Sequence, residues 1–287
     1  MARAKRSAPR SAPARRRPSA SKSAAARDAR PLSWLDVFTD VGRGLLDTIA
    51  SPWSALALTQ VPRGDGHAVL VLPGFMSTDH PTWPLRGFLT QIGYRAFAWG
   101  LGVNRGFSTD YHYDIEALVE HRLKEVFFES GDRKISLIGW SLGGVYAKAL
   151  ARRYPSLIRD VITLGSPISG ETRDVSIRRA YEFVSAMEFH DPQFAGKLRE
   201  LNTPLRDVPL TALYCRRDGV VPWTNAREEP GPLVQNIEVS ASHVGMGFDS
   251  YVFYLIAHRL ARSGKGGWKP LNVDYLRLRF ERERLPL

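Results

Sequence analysis

A single cysteine, Cys215, is present in a chain of 287 residues. It has no partner for an internal disulfide, and one thiol cannot provide the spacing of a metal site. The pattern reads it as a buried thiol on a strand, compatible with a reducing compartment. Also missing is any apolar run near the ~20 residues of a membrane span. No H-E-x-x-H, no G-x-x-x-x-G-K-[ST] and no clustered Asp or Cys ligands occur, so neither a metal nor a nucleotide cofactor is expected. No internal repeat is present, and the first 31 residues lack aromatic side chains altogether.

Basic residues are abundant but unevenly placed. The formal charge is +11. Residues 1–31 hold ten Lys/Arg against the one acid Asp28, a local charge of +9, while the remainder carries 30 basic and 28 acidic residues, net +2. The folded body is therefore close to neutral, and the basic character belongs to the tail. Rich in Ala, Ser, Pro and Arg without periodicity, that tail cannot bury enough apolar surface to offset its ordering entropy, so disorder is expected. No apolar core of about 7–15 residues follows its charges, as a secretory signal would require. Such a segment suits peripheral contact with an anionic membrane or with nucleic acid. The expected setting is cytoplasmic, with membrane-peripheral contact through the tail; the sequence leaves the oligomeric state open.

Beyond the tail, Leu35, Phe38, Val41, Leu45, Ile49 and Trp53 recur every three or four residues and predict a helix over 33–50, opened by Ser33 and Asp36 in a capping box. From residue 67 onward, strands and helices alternate. Apolar runs at 67–75, 95–101, 134–140, 160–166, 209–215 and 235–241 read as buried strands. Helical spacing appears at 84–92, 110–129 and 249–261, with a further helix after Ser141. This alternation predicts an α/β fold, a mostly parallel sheet with helices on both faces. Residues 168–207 break the rhythm, with Ile177, Tyr181, Val184 and Met187 on one stripe, and read as a small helical cap inserted over the sheet's carboxyl edge. In the extension 271–287, Leu276, Leu278 and Phe280 alternate with charged residues, which predicts an edge strand or a docking tail.

One stretch concentrates the chemistry. In "LIGWSLGGVYAKAL" (137–150), Ser141 stands between strand and helix in the pattern G-x-S-x-G. A one-residue turn at such a junction is strained, and Gly139 and Gly143 let helix and strand approach. The serine hydroxyl then rises above the sheet edge beside the N–H groups of the helix start: a nucleophile elbow. A serine nucleophile needs a base, and the base needs an orienting acid. His243, in the loop between the last strand and the last helix, is the candidate base. His258, His112 and His121 lie within or beside helices, His67 opens a strand at the opposite edge, and His80 and His190 lie in loops. Asp218, just past the strand that ends at Cys215, is the candidate acid, with Glu171 the alternative. For a developing oxyanion, "LPGF" (72–75) offers the N–H of Phe75, or else of Met76, together with that of Leu142. Met76, Trp140 and Trp223, with Phe75 and Met246 nearby, suit an acyl chain as substrate-binding residues.

The ordered set "VLVLPGF", "LIGWSLGG", "CRRDGVVPW" and "SHVGMG" resembles the α/β-hydrolase superfamily, most closely its bacterial esterase/lipase-like members, over roughly residues 65–270. The resemblance implies a Ser141–Asp218–His243 triad, no cofactor, and hydrolysis of a small-molecule or lipid ester through an acyl-serine. Pro73-Gly74 stands where many relatives have His-Gly in the oxyanion loop. A thioesterase or an acyltransferase would use the same triad, and a non-catalytic interaction scaffold would not need one.

Overall fold

The structure is a computed structural model that describes residues 52–106, 114–169, 203–263 and 267–284. The basic tail 1–31, the helix expected at 33–50, most of the insertion 168–207 with Glu171, and His112 and His190 lie outside the described residues.

Six strands form one sheet: β1 (Ala68–Leu72), β2 (Arg95–Ala98), β3 (Ile135–Trp140), β4 (Ile158–Leu164), β5 (Leu210–Tyr214) and β6 (Val234–Glu238). Their order is β2-β1-β3-β4-β5-β6, and every neighbouring pair is parallel. The helices are α1 (Pro52–Thr59), α2 (Trp83–Gln91), α3 (Ile115–Glu129), α4 (Leu142–Arg153), α5 (Ser250–Leu260) and α6 (Val273–Glu283).

Side chains alternate across each strand, so a strand covered on both faces reads as continuously apolar. Leu70 and Leu72 of β1 and Leu137 of β3 enter the core shared with α3 and α4, where Leu123, Val145 and Leu150 meet them. Val69, Val71 and Ile138 point the other way, toward Leu89 of α2 and Leu255 of α5. Parallel strands bring all their carboxyl ends to one edge, where loops from different strands converge.

The extension is a helix rather than an edge strand. The Asn272 side chain accepts from the Tyr275 N–H at 3.0 Å and caps α6. Leu276 and Phe280, four residues apart, are buried, while Leu278 is 73% exposed. The alternation was therefore one stripe of a 3.6-residue period. Phe280 meets the rings of Tyr251 and Tyr254 on α5 at 5.1 and 5.2 Å, and Tyr254 Oη donates to Glu283 at 2.9 Å.

Candidate active site

Ser141 follows β3 directly and stands at φ 52°, ψ −122°, a backbone region that a side chain makes unfavourable. The Ser141 N–H donates to Leu164 O on β4 at 2.8 Å, which fixes the turn against the neighbouring strand. Close approach explains the glycines around it. A Cβ at Gly139 would lie 2.3 Å from Gly144 Cα, and one at Gly143 would lie 2.2 Å from Leu72 O. Only hydrogen fits at either position.

Asp218 and His243 come from different loops of the same edge, after β5 and β6. The Nδ1 of His243 lies 2.8 Å from Asp218 Oδ2, and both side chains are buried, 8% and 1% exposed. Asp218 Oδ1 accepts from the N–H groups of Val220 and Val221, each at 2.8 Å. These two donors aim the carboxylate at the imidazole. Gly165, at φ +54°, passes beside the pair; a Cβ there would sit 3.0 Å from His243 Nδ1. Glu171, the alternative acid, lies outside the described residues.

The turn after β1 carries the two candidate oxyanion donors, and the structure separates them. The Met76 N–H donates to Asn104 O at 2.7 Å and is therefore engaged. Among the described residues, the N–H groups of Phe75 and Leu142 meet no protein acceptor. Gly74 brings this turn against the elbow: a Cβ there would lie 3.3 Å from Ser141 Cβ.

Of the expected substrate-binding residues, Trp140 is buried beside the histidine loop. Its ring belongs to the core on the α5 side, a Cβ at Gly247 would meet it at 2.8 Å, and its Nε1 donates to His243 O at 3.0 Å. It braces the histidine loop through that bond. Trp223 stacks on Tyr214 at 6.0 Å with the Arg216 and Arg227 guanidiniums over its ring at 4.5 and 5.4 Å. Met76 is 56% exposed. A hollow of about 460 Å³ lined by Leu58, Val61, Trp83, Phe88 and Phe253, between α1 and α2, contains none of the candidate residues.

Two further features were not anticipated from the sequence. Lys148, on α4 two turns beyond Ser141, bonds Ile168 O at 2.7 Å and pairs with Glu228 at 2.5 Å, both side chains being buried. Burial pushes the lysine down and the carboxyl up from their ordinary values. This strut ties the elbow helix to the segments leaving β4 and following Asp218. Asn104, fully buried, makes several bonds to the turn of residues 73–77. A lysine in the apolar run "YAKAL" and an asparagine between glycines in "GVNRG" were the available signals.

A second carboxylate–imidazole–hydroxyl chain serves as an internal contrast. Asp65 Oδ1 lies 2.5 Å from His67 Nδ1, and His67 Nε2 lies 2.8 Å from Ser136 Oγ. Ser136 sits inside β3, paired with Asp160 and wholly buried. With no turn to lift the hydroxyl and no helix start beside it, the same three groups serve as buried structure, with Arg159 on the far oxygen of Asp65 at 2.9 Å. Among the described residues no group of three or more His, Cys, Asp or Glu is placed to hold a metal ion, and no helix is long and apolar enough to cross a membrane.

No family model matches the chain. It is 30% identical over 156 residues to serine hydrolase BPHL of Mus musculus, covering 53% of this chain and 48% of that protein. To serine hydrolase BPHL of Homo sapiens it is 31% identical over 111 residues, covering 37% of this chain and 38% of the relative. The chain thus spans about half or less of the curated relatives it matches. Among solved structures, Bacillus licheniformis lipase BlEst2 in its mature form superposes with a TM-score of 0.50 at 16% identity, over 69% of this chain and 93% of that one. The parallel sheet, the elbow at the end of β3 and these similarities agree on one conclusion: the chain has the α/β-hydrolase fold and is similar, over about half its length, to serine hydrolases.

Proposed function

We propose that this protein is a serine hydrolase that cleaves carboxylic esters through an acyl-serine intermediate. The observation that carries the reading is the 2.8 Å Asp218–His243 contact at the sheet edge that also presents the strained Ser141. In this mechanism Ser141 Oγ attacks the ester carbonyl and gives its proton to His243 Nε2. Asp218 holds the imidazole by Nδ1 and stabilises the imidazolium. The tetrahedral oxyanion accepts from the N–H groups of Phe75 and Leu142, the latter at the positive end of α4. Collapse expels the alcohol, which takes the proton from His243. Water, deprotonated by the same imidazole, then releases the acid and restores Ser141. The names of the mouse and human relatives support the class, and the Bacillus lipase, of similar fold, supports an ester as substrate.

A fluorophosphonate probe should label the protein at Ser141, and hydrolysis should be followed on a panel of acyl esters of rising chain length. Ser141→Ala should remain folded, lose the label, and lose ~10⁶ in turnover on a short activated ester. Retained labelling or turnover in the folded variant removes the serine from the mechanism.

A further inference from the structure

We infer that Asn104 is a positioning residue of this site, holding the Phe75 N–H where the oxyanion develops; the inference rests on the serine-hydrolase reading above. Three contacts clamp the turn. Asn104 Nδ2 donates to Pro73 O at 2.9 Å, Asn104 O accepts from the Met76 N–H at 2.7 Å, and the Asn104 N–H donates to Ser77 O at 2.8 Å. The bonds fall on both sides of Gly74-Phe75, so this pair is suspended between fixed points.

The turn needs such a clamp because it is not self-sufficient. Within it, Ser77 N donates to Gly74 O at 3.3 Å, a long bond, and Met76 is held at φ 52°, which a methionine adopts only under outside constraint. Asn104 supplies that constraint, and Met76's N–H is consumed in doing so. The Phe75 N–H is left as the donor of the turn.

Asn104 is itself fixed. Its Oδ1 accepts from the Gly106 N–H at 3.1 Å and from Tyr146 Oη, on α4, at 3.3 Å. Gly106, at φ +77°, runs under the Phe75 ring; a Cβ there would lie 3.1 Å from it. Tyr146 lies five residues beyond Ser141 on the helix whose first N–H is the second donor. One amide side chain therefore references the Phe75 turn to the helix that carries Leu142. An aspartate would keep the Oδ1 acceptor but place a carboxylate oxygen against Pro73 O, and a leucine would lose every side-chain bond.

The test compares Asn104→Asp and Asn104→Leu with the wild-type chain on a soluble activated ester, together with the affinity for an alkylboronic acid, which mimics the tetrahedral intermediate. A misplaced oxyanion donor costs about 10²–10³ in turnover. Both variants should lose on that order in kcat with KM within a few-fold of wild type. Boronate affinity should fall in parallel, while the shape of the pH profile stays as in wild type. If neither variant shows a cooperative melt, Asn104→Ser, with room for a water in place of the amide, takes their role with the same readouts. A folded variant with wild-type kcat, or one whose loss lies in KM with boronate affinity unchanged, overturns the assignment. An inert Ser141→Ala beside active Asn104 variants sinks the role of Asn104 alone; an active Ser141→Ala sinks the serine reading and this role with it.

Discussion

Ser141 and Met76 both hold positive φ, 52° each, and both lie just beyond neighbouring strands, β3 and β1, at the carboxyl edge. Each such residue costs on the order of 1–3 kcal/mol and persists only where its surroundings impose it. Among the described residues a third, Asp132, is in the turn after α3, where an Asp next to Gly131 tolerates the left-handed region. At Ser141 the imposing partners are the Leu164 carbonyl and the closely packed glycines; at Met76 they are the bonds from Asn104. The acid is the next residue to separate experimentally. Asp218→Asn keeps the shape of the side chain but presents an amide to His243 Nδ1, and the imidazole loses the carboxylate that orients and charges it. Turnover should fall by ~10⁴, whereas Glu171→Gln should leave it nearly unchanged. The two rates, measured on the same soluble ester, decide the matter: a reversed order makes Glu171 the acid.

Helices α5 and α6 show how an element outside the site carries a titration of its own. His258 lies in α5, 5% exposed, with its ring 4.5 Å from that of Tyr254. Burial above all, then the Arg279 and Arg262 guanidiniums, push its imidazole down to about 4, while Glu283 opposes them weakly. The native state therefore keeps His258 neutral, whereas the unfolded chain protonates it near its ordinary 6.5. Its contribution to stability is complete above pH 6.5 and is lost as the pH falls toward 4. Discounted for partial solvent access, the effect is on the order of 2 kcal/mol, or roughly 4–8 °C in melting temperature. His258→Phe should flatten the melting-temperature profile across that window. Parallel profiles for wild type and variant exclude His258 as the source. The same pair of helices explains the buried Phe280: α6 closes the α5 side of the core and is not an appended strand.

On the scale of the whole molecule, charge and chemistry occupy different parts of the chain. The body from residue 32 onward is close to neutral, and +9 of the +11 resides in residues 1–31. Ser141, Asp218, His243 and the Phe75 turn are all supplied by loops of the sheet. We propose that the tail recruits the protein to an anionic lipid surface, where each cation contributes ~1 kcal/mol at most and several act together. Deleting residues 1–31 should leave turnover on a soluble ester unchanged and abolish low-salt flotation with phosphatidylserine vesicles. If the truncated protein floats as well as the full chain, the affinity lies elsewhere. Full-chain binding to duplex DNA that weakens steeply with salt, without flotation, would instead assign the tail to nucleic acid.

The amino-acid sequence by itself determined the strand–helix alternation and the elbow, because both are local. An apolar run bounded by turn residues has few ways to be anything but a buried strand. A serine wedged between glycines at such a run's end has little conformational choice. The direction in which Asp218 and His243 would lie was also legible, since parallel strands send their following loops to one edge. Tertiary structure alone decided what depends on contacts between distant segments. The period of Leu276, Leu278 and Phe280 became helical because Tyr251 and Tyr254 receive Phe280 and the core receives Leu276, while Leu278 stays exposed. Trp140 found Gly247 and the His243 carbonyl, residues more than a hundred positions away. Asn104 and Lys148 acquired partners 31 and 80 residues distant, Pro73 and Glu228. A buried amide or ammonium is stable only when fully bonded, and those bonds exist only once the sheet has brought its loops together.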